Sequence, residues 1–275
     1  MSRTKVIAIC NQKGGVGKTT TAVNLGVGMA KQGKDVLLID ADPQGDLTDW
    51  MCEKRADDYD VTLGSIMYKI ISEEIVEPDE GIIKHKEGVD ILPSNITLSS
   101  MEMQLVNAMN REKIMKEYIN CVKDKYDYVI IDCMPSLGMI TLNALSAADS
   151  VIIPVQAHYL PAKGMEQLLH TVAKVQKYTN PDLKVEGILL TLVDVRTNFA
   201  KEVESIIRNS YGSAIKVFDA HIPVAIKAAQ VAAQEKSIYE YDPKGKATEA
   251  YMNFSKEVLN NGERNKAKLW AEIDR

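Results

Sequence analysis

The sequence has few cysteines, and their spacing argues against the common protein-bound metal clusters. Its four cysteines are Cys10, Cys52, Cys121 and Cys133. They lie too far apart along the chain for the paired spacing of a zinc or iron–sulfur site. Because Cys10 and Cys133 fall in or beside apolar runs, we expect them to be buried thiols without a ligand role.

Long hydrophobic segments are also missing. No apolar run approaches the length needed to span a membrane. Residues 1–5 lead directly into an apolar run, so we expect no signal peptide. We therefore expect a cytoplasmic protein without a membrane partner.

An excess of positive charge is absent as well. The 275 residues carry a formal net charge of −5, with 45% hydrophobic and 26% charged residues. This composition is ordinary for a globular protein and argues against a surface coated with basic residues. Binding to nucleic acid would therefore need a local basic patch.

A glycine-rich segment near the start carries the clearest chemical signal. It reads Lys13-Gly14-Gly15-Val16-Gly17-Lys18-Thr19-Thr20 and lies between an apolar run, residues 6–10, and a helical pattern. A strand, a glycine turn and a helix start in this order predict a phosphate-binding loop whose backbone N–H groups surround the phosphates. Lys18 would reach the β- and γ-phosphates, and the Thr19 hydroxyl would bind Mg²⁺. The common motif G-x-x-x-x-G-K-[ST] fails only at Gln12.

Carboxylates follow two further apolar runs. Asp40 and Asp42 end the run that begins at Val36, and Asp132 ends the run that begins at Tyr128. In open α/β sheets, ligands bind at the carboxyl ends of the strands. An apolar strand with a terminal aspartate after a phosphate loop is the Walker B arrangement, which holds Mg²⁺. We expect Asp40 and Asp132 to hold the water shell of the metal.

Alternating strand and helix patterns predict one α/β domain with a mostly parallel, doubly wound sheet covered by helices on both faces. Neither a linker nor a repeat interrupts the pattern. The domain is expected to span residues 1–260, followed by a polar helical tail or a frayed end at 261–275. Longer predicted helices include residues 99–123, 224–235 and 241–259.

The loop variant K-G-G-x-G-K-T is the deviant Walker A motif, and with it the chain resembles the ParA/MinD family of ATPases. The resemblance covers residues 6–259 and includes three further segments: D-x-D-P-Q-G at Asp40, D-x-R-T-N at Asp194 and Y-D-P at Tyr241. No DNA-binding helix-turn-helix precedes the loop, so the chain is similar to the short, chromosomal (Soj-like) type. The family fold is that of a P-loop NTPase.

The resemblance implies a role for each site residue. ATP and Mg²⁺ are the expected cofactors, Asp42 orients the attacking water, and Lys13 reaches the phosphates of a partner subunit. ATP then holds two subunits together as a homodimer, and hydrolysis, slow alone and stimulated by a ParB-like protein, separates them. The expected catalytic residues are Lys13, Lys18 and Asp42, and the expected nucleotide-binding residues are Lys13, Gly14, Gly15, Val16, Gly17, Lys18, Thr19, Thr20 and Pro223.

The resemblance also implies non-specific DNA binding by the ATP dimer, in a nucleoid-associated partitioning role for plasmid, chromosome or other cargo. Both arginines that the family carries after the proline at position 223 are missing, and Lys227 alone keeps a positive charge there. Acidic residues are interleaved with the basic ones, so an ordinary solvated surface is the competing interpretation. The candidate DNA contacts are Arg196, Lys201, Arg208, Lys227, Lys236, Lys244 and Lys246.

Two other functions share the loop. A MinD-like ATPase positioned on a membrane or scaffold would need a basic amphipathic C-terminal helix, whereas residues 261–275 carry mixed charges around a narrow apolar stripe. A nitrogenase-type iron–sulfur reductase would need cysteines placed to bridge a cluster, and Cys133 lies at the wrong offset. We therefore favour the partitioning ATPase and keep the MinD-like protein as the alternative.

Overall fold

The computed structural model describes residues 4–157, 162–194, 196–225, 231 and 235–273, and for 162–163 and 263–273 it describes the backbone alone. Within these residues the strands are β1 Lys5–Ile9, β2 Val36–Ala41, β3 Ile83–Lys84, β4 Val89–Leu92, β5 Tyr128–Cys133, β6 Ser150–Gln156, β7 Lys184–Val193 and β8 Val217–Pro223. The helices are α1 Lys18–Ala30, α2 Asp46–Met51, α3 Leu63–Ile71, α4 Leu98–Asn107, α5 Ile114–Val122, α6 Met139–Ala147, α7 Ala162–Tyr178, α8 Asn198–Tyr211, α9 Ile238–Tyr241 and α10 Lys246–Ile273.

The described strands form one sheet in the order β3-β4-β2-β5-β1-β6-β7-β8. Every neighbouring pair is parallel except β3 and β4, which are antiparallel. Strand β1, which precedes the glycine loop, therefore lies between β5 and β6. The carboxyl ends of β2, β5 and β1 are adjacent, so this edge of the sheet gathers the residues that follow them.

Two hydrophobic cores cover the two faces of the sheet, because successive side chains of a strand point to opposite faces. On β1, Val6 and Ala8 belong to the core beneath α3–α8, whereas Ile7 and Ile9 belong to the core beneath α1, α2, α9 and α10. The sheet is thus buried on both faces, which explains why its central strands are continuous apolar runs. The predicted doubly wound α/β fold is confirmed.

Some predicted boundaries differ. The helical pattern at 99–123 forms two helices, α4 and α5, because Asn110 adopts a positive φ of 51° between them, a conformation that asparagine tolerates. Helix α10 continues to Ile273 and so passes position 259, where its predicted end lay. Most of the predicted helix at 224–235 lies outside the described residues, and Val224 and Ala225 are not helical.

Buried free thiols are found where the sequence predicts them. Cys10 and Cys133 are both buried at the carboxyl ends of the neighbouring strands β1 and β5, with their sulfur atoms 2.9 Å apart. In the described part of the chain, no helix is both long enough and apolar enough to cross a membrane.

Candidate active site

The glycine loop joins β1 to the first turn of α1, as its sequence predicts. Gly15 and Gly17 have φ values of 69° and 82°, a region that favours glycine because it has no Cβ. Gly17 stands directly before α1, and no side chain caps the first turn of the helix. The amide groups of that turn are therefore available to an anion, and the helix dipole adds positive potential.

Two buried side chains hold this loop in place, and neither was predicted from the sequence. The Asn11 amide donates to the Pro154 carbonyl at 2.7 Å, and its oxygen accepts from the Lys13 N–H at 2.9 Å. On the other side, the Thr191 hydroxyl of β7 donates to the Val16 carbonyl at 2.8 Å. Buried polar groups paired in this way resist local opening. The loop is therefore fixed to β6 and β7 as well as to β1.

The two lysines of the loop lie in different environments. Lys18 is 7% exposed, and its ammonium group donates to the Lys13 carbonyl at 3.3 Å. Lys13 is exposed, and its side chain has no hydrogen-bond or ion-pair partner among the described residues. Lys18 therefore faces the inside of the phosphate loop, whereas the Lys13 ammonium is free to contact a group outside this chain.

Asp132 has the properties expected of a metal-holding carboxylate. It is the last residue but one of β5 and lies opposite both Asp40 of β2 and Ile9 of β1 in the strand register. Both of its carboxylate oxygens are buried without a hydrogen-bond partner in the described chain. Burial and the nearby charge of Asp40 raise its pKa well above the ordinary value, while the Thr19 hydroxyl and Lys18 act in the opposite direction. A hydrated divalent cation would satisfy both oxygens, so Thr19 and Asp132 fit Mg²⁺.

Asp40 is held differently. It is fully buried, and its Oδ1 accepts from the Asp42 N–H at 3.1 Å. Its Oδ2 accepts from the Thr48 N–H at 2.9 Å and from the Thr48 hydroxyl at 2.7 Å. Burial raises the pKa of Asp40 to about 7 in spite of these bonds. Both oxygens thus bind the chain itself, and a role in the metal's water shell stays a prediction.

Asp42 is presented by a short loop between β2 and α2. Its side chain is partly buried and accepts from the Gln44 N–H at 3.0 Å. Burial raises its pKa, and the positive charge of Lys18 opposes that shift. Its role in orienting the attacking water stays a prediction.

Pro223, the remaining predicted nucleotide contact, lies at the carboxyl end of β8 and pairs in register with Val193 of β7. The same β7 holds the phosphate loop through Thr191. Pro223 is therefore on the ligand edge of the sheet, separated from β1 by the two strands β6 and β7. Its contact with a nucleotide stays a prediction.

The predicted DNA contacts fall into two groups. Arg196 makes two bonds of 2.9 Å to Asp194, Arg208 binds Glu204 at 2.8 Å, and Lys236 binds Glu240 at 3.0 Å. Arg208 also donates to the carbonyls of Val217 and Phe218. Three others are exposed without an ion pair to a described residue: Lys201, Lys244 and Lys246. Lys227 lies outside the described residues.

Together the loop, the strand-end carboxylates and the doubly wound sheet define a P-loop ATPase. A family model described as an AAA domain matches residues 4–185. The chain is 44% identical to the sporulation initiation inhibitor protein Soj of Bacillus subtilis, over 94% of this chain and 99% of that protein. It is 39% identical to the chromosome partitioning protein ParA of Myxococcus xanthus, over 93% of this chain and 88% of that protein.

A solved structure leads to the same class. It is described as cobyrinic acid a,c-diamide synthase from Mycobacterium smegmatis with a bound ATP analogue and magnesium. The TM-score is 0.83 and the identity 36%, covering 94% of this chain and 96% of that one. The protein described here is an ATPase and belongs to the ParA/Soj family.

Proposed function

We propose that this protein is an ATP-dependent dimerisation switch that partitions or positions DNA cargo. The two relatives named above, at 44% and 39% identity over nearly the whole chain, are Soj and a chromosome partitioning ParA. The observation that carries the proposal is the contrast between the loop lysines. Lys18 is buried at the loop, whereas Lys13 is exposed and has no partner among the described residues. A monomer needs only Lys18 at the phosphates, whereas a switch also needs a group that acts across an interface.

The site supports hydrolysis as follows. Lys18 and the loop amides neutralise the phosphate oxygens of ATP, and the exposed Lys13 adds its charge to the nucleotide of a second subunit. Thr19 and Asp132 would hold Mg²⁺, which would supply further charge neutralisation when bound. Asp42 accepts a hydrogen bond from the attacking water and orients it. Hydrolysis removes the γ-phosphate that both subunits bind, so the dimer separates.

The same proposal includes non-specific DNA binding by the ATP-bound dimer, activation by a ParB-like protein, and a location on the nucleoid. Contacts between lysines and phosphates carry such binding without reading a sequence. Exposed lysines are available on the described surface, although the chain is acidic overall. A MinD-like role on a membrane or scaffold is the alternative.

A gel shift tests the proposal. We expect Asp42→Ala to bind ATP but not to hydrolyse it, because the loop lysines remain and the water-orienting carboxylate is lost. This variant should bind random-sequence duplex DNA with ATP and Mg²⁺, and not with ADP, and the affinity should fall steeply as salt rises. ATP-driven dimers without affinity for DNA would contradict the DNA role, and binding to anionic vesicles in its place would favour the MinD-like alternative.

A further inference from the structure

A shallow cavity on the described surface is lined by three lysines that make no ion pair. The cavity has a volume of about 480 Å³ and lies between the C-terminal end of α1 and the start of α10. Lys31, Lys244 and Lys256 line it, together with a single carboxylate, Glu249. The lining therefore carries an excess of positive charge on a chain whose net charge is −5.

These lysines differ in their ion pairing from Arg196 and Arg208, the two arginines among the candidate DNA contacts. Among the described residues, the ammonium groups of Lys31, Lys244 and Lys256 have no hydrogen-bond or ion-pair partner, and Lys31 lies only over the Tyr239 ring, 5.8 Å from its centroid. Arg196 and Arg208, by contrast, are each paired with a carboxylate. A paired cation must break its pair before it binds a phosphate, whereas an unpaired lysine exchanges only water and counterions.

The backbone beneath the lysines is held firmly. Gln32, next to Lys31, donates to the Ser255 hydroxyl at 2.9 Å, and Ser255 precedes Lys256. A Cβ on Gly28 would lie 2.9 Å from the same hydroxyl, so α1 and α10 approach too closely for a larger residue there. Lys256 thus lies on α10, Lys31 directly follows α1 and Lys244 lies two residues before α10. Because α1 and α10 are held together, the backbone that carries Lys31 and Lys256 is fixed, which limits the entropy lost when these lysines bind a ligand.

The side chains that line the cavity suit a nucleic-acid backbone better than a membrane surface. A membrane-binding face inserts apolar side chains beside its basic ones. None of the large hydrophobic residues that are exposed in the described chain lines this cavity. Lysines around a shallow, open depression match the spaced phosphates of a nucleic-acid backbone, which need point charges and no apolar anchor.

We propose that Lys31, Lys244 and Lys256 form the lysine surface, a contact site for the phosphodiester backbone of DNA. The surface uses two residues, Lys31 and Lys256, that the family motifs do not point to. It supplies cations in a chain that lacks both arginines after the proline at position 223 and whose Arg196 and Arg208 are engaged. This inference rests on the DNA binding of the proposed function.

The test replaces the three lysines together in the Asp42→Ala background, as Lys31→Gln, Lys244→Gln and Lys256→Gln. Binding of a fluorescent random-sequence duplex is measured by anisotropy with ATP and Mg²⁺ over a salt series. We expect affinity to fall by about tenfold or more near 0.1 M salt. The slope of log K against log salt should become shallower by about three for each bound protomer, since each phosphate contact contributes roughly 0.9.

A matched control variant shows whether a loss of DNA binding depends on the location of the three lysines or only on the loss of positive charge. Lys84, Lys174 and Lys184 are exposed and make no ion pair to a described residue, and none of them lines the cavity. The triple variant Lys84→Gln, Lys174→Gln and Lys184→Gln loses the same charge and should bind DNA like its Asp42→Ala parent. ATP-driven dimerisation, measured by light scattering, should be equal in all three proteins, which shows that the substitutions leave the fold intact.

The possible outcomes distinguish a failure of the lysine surface from a failure of the proposed DNA-binding function. Equal weakening by both triple variants, or by neither, would overturn the lysine surface and leave the proposed function standing. Failure of the Asp42→Ala parent itself to bind DNA would remove the proposed DNA role, and the lysine surface with it. Loss of binding to anionic lipid vesicles, with DNA binding unchanged, would also overturn the proposal.

Discussion

At the scale of single residues, the loop that carries Asp42 depends on Thr48. The Thr48 hydroxyl donates to Asp40 at 2.7 Å and accepts from the Ser94 N–H at 2.9 Å. Asp40 in turn accepts from the N–H of Asp42. These groups are buried, so an unpaired member would lose its hydrogen bond without gaining water. Thr48 thereby connects the ends of β2 and β4 to the loop that presents Asp42, the proposed catalytic carboxylate.

We expect Thr48→Val to slow hydrolysis without weakening nucleotide binding. Valine has nearly the shape of threonine, but it has no hydroxyl group. Asp40 would therefore accept one hydrogen bond fewer, and the Ser94 N–H would lose its acceptor. The loss of about 1–3 kcal/mol per unsatisfied buried group would loosen the Asp42 loop, while the phosphate loop keeps its own contacts. Single-turnover hydrolysis and the nucleotide Kd measure the two effects separately.

Thr48→Ser is the control for this experiment, because serine keeps the hydroxyl. It should retain most of the hydrolysis rate. If serine were as slow as valine, packing of the methyl group and not the hydrogen bonds would explain the result. An unchanged rate in Thr48→Val would show that the Asp42 loop does not need Thr48.

At the scale of elements, α4 is joined to α6 by one carboxylate. The Glu102 side chain of α4 accepts from the N–H of Met139 at 2.8 Å and from the N–H of Ile140 at 3.1 Å. These amides belong to the first turn of α6, whose own preceding residue, Gly138, offers no side-chain cap. A carboxylate at this position satisfies two free amides and interacts favourably with the helix dipole. Glu102 thus fixes the helix that follows the Asp132 loop.

Glu102→Gln should lower the free energy of unfolding by about 1–2 kcal/mol, because glutamine presents one oxygen and one N–H group to two amide donors. Urea unfolding followed by circular dichroism measures the change. Glu53→Gln, at an exposed position without a described partner, should unfold like the unmodified protein. Equal stability of the two variants would contradict the capping role of Glu102.

At the scale of the whole molecule, the phosphate loop at the ligand edge of the sheet is partly buried and partly exposed to solvent. Gly14, Gly15 and Lys13 are exposed at the head of the loop, next to the buried Lys18. Lys13 therefore has no partner in the described chain at the point where the phosphates would lie. If a second copy of the chain faced this edge, the Lys13 side chain of each subunit would reach the nucleotide bound by the other. The interface between the two copies would also exclude water from the nucleotides.

Lys13→Ala in the Asp42→Ala background should remain monomeric with ATP and Mg²⁺, because the charge that reaches the second nucleotide is lost. Its own nucleotide affinity should change little, since Lys18 and the loop amides remain. Light scattering after size exclusion reports the mass, and a fluorescent ATP analogue reports the affinity. Lys174→Ala, in the same background, is the matched exposed control and should dimerise. A dimer with Lys13→Ala would remove this lysine from the interface.

The sequence by itself determined the fold class and most of the phosphate site. Continuous apolar runs predicted strands buried on both faces, and the glycine loop predicted the position of Lys18 and Thr19, because both patterns are local in the chain. The prediction of one helix at residues 99–123 was wrong, because the apolar periodicity continues across Asn110 while the backbone turns there.

Only the tertiary structure decided which groups have partners. Asn11, Thr48, Glu102 and Thr191 act through residues distant in sequence, and no local motif marks them. In the sequence, Asp40 and Asp132 are both aspartates at the end of an apolar strand. In the structure, Asp40 accepts three hydrogen bonds, whereas the buried carboxylate oxygens of Asp132 have no hydrogen-bond partner in the described chain. Likewise, charge counting cannot separate Arg208, which is paired with Glu204, from Lys31, which has no ion pair to a described residue. Pairing depends on which side chains folding brings within reach.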